Sequence, residues 1–153
     1  MTEVNGLIVD GIHPVPLDKA WAYYGDKAPG VLRQGIKLFY ANVIEDDMLK
    51  GFFRNSNIKT LSAHQFDVVS FAMGRKDTQF ATLKDLTDML YRVHLNVKNV
   101  DTGRGIDNPA HYHTGFHLIS ALLTVGVSPS FTQGIVPLWT KLAPFIVTEK
   151  DLI

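Results

Sequence analysis

Three polar side chains in this sequence fall on helix faces that are otherwise apolar: Tyr40, Gln65 and His94. Tyr40 follows Ile36 and Phe39 and precedes Val43 and Ile44, all at helical spacing. Gln65 sits among Leu61, Val68, Val69 and Ala72, and His94 among Leu83, Leu86, Leu90, Val93 and Val97. An unpaired buried polar group costs roughly 1–3 kcal/mol. Three of them on separate core helices are better explained by one shared polar guest than by three private partners. An imidazole is a metal ligand, but a single protein ligand holds a bare ion weakly. The metal should therefore arrive already chelated, and haem iron with one axial histidine meets that description.

The composition sets the frame for such a site. A chain of 153 residues suits one domain. Its 15 basic and 15 acidic residues cancel, so no nucleic acid or anionic membrane surface is expected as a partner. There is no cysteine, which excludes disulfides, thiolate catalysis and iron–sulfur ligation. Six histidines are the main reserve of metal ligands. The first ten residues lack a basic, then apolar leader, and no apolar run approaches the ~20 residues of a membrane span. A cytoplasmic location is the expectation.

The elements that must position the three polar residues are helical almost throughout. Residues 1–28 read as an irregular N-terminal extension, with a short strand possible at Leu7-Ile8-Val9 and a short helix capped by Asp18. Pro29 opens a helix at its first turn, running to about Ile44. Asp46 or Asp47 caps a short helix over 46–52 that ends near Phe52-Phe53. Further helices are expected over 58–73 (closed by Gly74), from Thr82 past His94, from Asp107 or Asn108 to Val125 (closed by Gly126), and from Ser128-Pro129 to Val147. Pro137 and Pro144 should kink or fray the last one. The fold class is all-α, about six helices around one core over residues 29–153.

Phe39-Tyr40, Val43, Asp46 or Asp47, Leu49, Phe52-Phe53, Leu61 and His64-Gln65 resemble the pattern of truncated haemoglobins, in particular group I. The likeness continues through Val93-His94, Ile106, Leu118, Leu122, Gly126-Val127 and Ile146-Val147, and covers roughly residues 30–147. The resemblance implies a two-over-two helical sandwich around haem b (iron protoporphyrin IX). His94 would be the proximal iron ligand, Tyr40 a distal donor to dioxygen, Gln65 a second donor, and Leu61 the distal apolar residue. Phe39, Phe53, Leu90, Val93 and Leu118 would line the porphyrin. Val68 and Val69 would flank a distal route for gas. A tryptophan near Thr114 is missing, which favours group I over groups II and III; Trp139 reads as too late in the chain.

The other histidines are weaker. His64 is either a half-exposed residue near the haem propionates or a reversible sixth iron ligand, as similar residues are in cyanobacterial relatives. His113 and His117 are four apart, a spacing that can hold zinc, yet no acidic third ligand or HExxH companion accompanies them. They and His111 therefore read as a partly exposed helix face, and His13 carries no signal.

The leading expectation is a protein binding dioxygen, nitric oxide and carbon monoxide, as a monomer or weak homodimer. An enzymatic alternative is nitric oxide dioxygenation with an external reductase. A third is a haem-free helical interaction module.

Overall fold

A computed structural model describes residues 16–149 and the backbone of two short strands before them. Among these residues the chain is helical, apart from a ribbon in which β1 (Thr2–Val4) pairs antiparallel with β2 (Leu7–Val9). Eight α-helices follow: α1 (Ala20–Tyr24), α2 (Ala28–Val43), α3 (Lys50–Phe53), α4 (Ile58–Ala72), α5 (Leu83–His94), α6 (Asn108–Thr124), α7 (Pro129–Gln133) and α8 (Ile135–Ile146). Residues 1, 5–6, 10–15 and 150–153, His13 among them, lie outside the described residues. No helix of the described residues is long and apolar enough to cross a membrane.

Helix starts follow local chemistry. Asn57 accepts a hydrogen bond from Thr60 N at 3.2 Å, and Asp107 one from Ala110 N at 2.9 Å, each satisfying an orphan amide of a first turn. Thr82 and Asp85 form a reciprocal capping box on α5: Asp85 N donates to Thr82 Oγ1 and Thr82 N to Asp85 Oδ2. Pro29 occupies the first turn of α2, where its missing N–H costs nothing. Gly74 and Gly126 close α4 and α6 at φ of 101° and 99°, a left-handed geometry that glycine adopts without a Cβ clash.

Two of the expected caps are not made. α1 starts without a side-chain cap, Asp18 lying instead in a 3-10 turn, Leu17–Lys19. α3 starts at Lys50; Asp46 accepts from Met48 N at 2.8 Å and so shapes the turn before it. The final helix divides at Gly134. A Cβ at Gly134 would come within 2.8 Å of Leu17 Cβ, so the backbone itself packs on the N-terminal segment there. Pro137 falls in the first turn of α8, where the loss of a donor is harmless, and α8 runs on through Pro144 to Ile146.

The helices form two packed pairs, α2 with α4 and α6 with α8, joined where α2 crosses α6. α2 buries Leu32, Gly35, Ile36, Phe39, Tyr40 and Val43, the three-to-four residue spacing of one face. Gly35 makes the α2–α6 crossing close, since a Cβ there would meet Leu122 Cδ2 at 2.7 Å. Phe131, Leu118, Leu122 and Leu49 complete the fully buried core. α5 packs on α8 and hardly touches α4, which leaves a gap between the two. On α5, Leu86, Thr87 and Leu90 are buried while Leu83 is 36% exposed, so Leu83 does not belong to the inner face expected for it. Residues before α2 are packed on this body: Trp21 N donates to Met73 O at 2.9 Å, and Ser128 N donates to Tyr24 Oη at 2.9 Å.

Candidate functional site

The gap between α4 and α5 is an apolar cavity, with walls from α2, α3, α4, α5, α6 and α8. His94 ends α5 on one wall. Its Nδ1 lies 2.7 Å from Leu90 O, which places the ring proton on Nδ1 and leaves the Nε2 lone pair free. Burial pushes the His94 pKa below its ordinary value, against the smaller opposing effect of the Leu90 carbonyl. At neutral pH the ring is therefore uncharged, the state in which an imidazole ligates a metal.

The opposite wall carries Tyr40, Leu61, His64, Gln65 and Val68. Tyr40 is 6% exposed and packs edge-on to Phe39 and Phe53. Burial raises its pKa, so the hydroxyl keeps its proton and is a donor. It donates to Leu61 O at 3.2 Å. The private carbonyl partner is thus present, one turn before Gln65. The half-buried Gln65 amide makes no hydrogen bond among the described residues. His64 is exposed at the rim. One neutral nitrogen ligand, the Gln65 amide, a Tyr40 hydroxyl held by the Leu61 carbonyl and apolar walls are the means to hold a metal complex and orient a small polar molecule on it.

Of the residues expected around the cofactor, Phe39, Phe53, Val68, Leu90 and Val93 line the cavity. Val93 is 46% exposed overall and marks its open side. Val69 and Leu118 do not line it: each turns into the core, at 5% and 1% exposure. On their helices the cavity-facing positions are Val68 and Thr114, one residue and one turn away.

No family model matches the chain. Over 118 residues, 75% of its length and 75% of the relative's, it is 28% identical to a group 1 truncated hemoglobin, GlbN, of Mycolicibacterium paratuberculosis (strain ATCC BAA-968 / K-10). The chain is similar to a truncated haemoglobin. The likeness is distant, and the all-helical architecture agrees with it.

Two features escaped the sequence. Trp139, read as too late in the chain to stand beside Thr114, lines the same cavity. α8 folds back on α6 there, and a Cβ on Gly115 would lie 2.6 Å from Trp139 Nε1. A tryptophan thus does line the cavity together with Thr114, supplied by α8 and not by the helix that carries Thr114. Secondly, His113 and His117 do have an acidic companion. Both Nε2 atoms contact Asp46 Oδ2, at 2.5 and 2.7 Å. It comes from 67 and 71 residues earlier, a distance that no local motif spans.

Proposed function

We propose that this chain is a haem b protein of truncated-globin type, group I, that binds dioxygen and other diatomic gases. The observation that carries the reading is the free Nε2 of His94 in an apolar cavity, facing Tyr40 and Gln65. The residues present suit the group. His94 offers one uncharged ligand nitrogen, oriented by the Leu90 carbonyl, and Phe53, Leu90 and Val93 offer apolar surface to a flat ring. Haem supplies the iron at which a diatomic gas binds. Tyr40, turning its hydroxyl from the Leu61 carbonyl, would give a hydrogen bond to the polar end of that gas, in a site dry enough for the bond to be strong. Gln65 offers a second. Leu61 itself carries no acid or base. His64, exposed and without a hydrogen bond among the described residues, suits the rim of the haem edge.

Visible spectra of the purified chain test this, in ferric, ferrous and carbonyl-treated forms after haem reconstitution. The expected result is a Soret band at one haem per chain, which His94→Ala removes or shifts. Reconstitution without a Soret band, or a spectrum indifferent to His94→Ala, would overturn the reading.

A further inference from the structure

Beyond the haem reading, and independent of it, the geometry points to a divalent transition-metal site, of the zinc class, formed by Asp46, His113 and His117. α6 sets His113 and His117 one turn apart on a single face. The turn that follows α2 brings Asp46 against that face. All three ligand atoms lie within 4.8 Å of one another. The two imidazole planes stand at 79° with centroids 4.9 Å apart, and both Nε2 atoms address the same carboxylate oxygen. Two nitrogens and one oxygen therefore converge on a common point, which a pair of unrelated surface histidines does not do.

The cluster is also built to stay in place. Asp46 Oδ1 accepts from Met48 N at 2.8 Å, a backbone bond that fixes the carboxylate and leaves Oδ2 to the histidines. The Asp46 side chain is 15% exposed and His117 18%, so two of the three ligands are held by packing. His113 is 37% exposed and leaves the remaining coordination positions to water. A carboxyl of ordinary pKa is already ionised near neutral pH, so Asp46 is an anionic ligand there.

Admitting an ion needs little movement. With metal–ligand bonds of about 2.0–2.1 Å in a tetrahedral site, the ligand atoms stand about 3.3 Å apart. The present contacts must open by less than roughly 1 Å, within reach of small side-chain rotations. Imidazole nitrogens select zinc, nickel, copper or cobalt over calcium and magnesium, whose preference is for oxygen. The consequence of binding is a tie between the end of α2, which carries Tyr40, and the middle of α6.

Isothermal titration of the tag-free full chain with zinc, near neutral pH, tests the assignment. One zinc per chain is expected, bound at micromolar levels, with a rise of the unfolding temperature in the same samples. His117→Ala and Asp46→Asn should each weaken binding by about 10–100-fold, while His64→Ala, at the cavity rim, should leave it unchanged. If Asp46→Asn does not fold, His113→Ala carries the readout, because that ring is the most exposed of the three. Absence of binding at millimolar zinc, or an affinity indifferent to His113→Ala and His117→Ala, overturns the site. Haem content is read from the Soret band of the same preparations, so a failure of the haem reading shows separately.

Discussion

His111 and Trp139 exchange two hydrogen bonds across the α6–α8 contact. Trp139 Nε1 donates to His111 O at 2.7 Å, and His111 Nε2 donates to Trp139 O at 2.8 Å, while the two rings stack at 5.0 Å. Each ring thereby satisfies the other residue's backbone, at the back of the cavity. Trp139→Phe keeps an aromatic ring against His111 and removes one donor, leaving the His111 carbonyl only its intrahelical partner in α6. We expect a loss of about 0.5–1.5 kcal/mol, measured as a lower urea midpoint with an unchanged slope.

The same contact depends on Gly115, whose missing Cβ is the space that Trp139 occupies. Gly115→Ala should overpack it and cost about 1–3 kcal/mol. Gly30→Ala is the opposite case. Nothing lies within 4 Å of a Cβ there, and the residue is inside α2. That change should stabilise by about 0.4–1 kcal/mol through the unfolded chain. Thermal unfolding of the two variants should move in opposite directions.

Acid should act through His111. It is 1% exposed, and burial holds its pKa below the ordinary 6.5, against the opposing effect of the Trp139 carbonyl. The unfolded chain then takes up the proton before the folded one does. Stability from this residue is complete above about 6.5 and falls as pH drops below that value. His111→Gln can still donate to the Trp139 carbonyl but does not titrate. Its unfolding free energy should fall less steeply than the wild type's between pH 7 and 5, a range that spans the ordinary histidine pKa; parallel slopes would remove His111 from the account.

Tyr40 carries the functional prediction. In the haem-loaded chain, Tyr40→Phe should raise the oxygen dissociation rate by about tenfold or more, one hydrogen bond of about 1.4 kcal/mol being worth that factor. Gln65→Leu should act in the same direction but less. Stopped-flow displacement by carbon monoxide measures both, and an unchanged rate in Tyr40→Phe would take the phenol out of the site.

How much of this is legible in the sequence depends on where each partner lies along the chain. Thr82 and Asp107 announce their helices because a cap is a three-residue event. Gly74 and Gly126 announced the ends for the same reason. The division of the last helix is not legible, since it falls at Gly134, which packs against Leu17, and the prolines expected to kink or fray that helix are tolerated. In the site, Tyr40, Gln65 and His94 stood out as polar residues on apolar stripes. The Leu61 carbonyl that holds Tyr40, the Trp139 that meets His111, and the Asp46 that meets His113 and His117 did not. Each is joined to its partner only by tertiary packing over 21 or more residues.

Gly74 holds one more consequence. A Cβ at that position would lie 2.0 Å from Asp18 O, so the strand of chain before α1 rests on bare backbone at the end of α4. Trp21 N grips the neighbouring Met73 carbonyl in the same place. Toward its start the same helix carries Leu61, His64 and Gln65. The N-terminal segment is therefore a clasp on the helix that forms one wall of the cavity, fastened at the end away from those three residues.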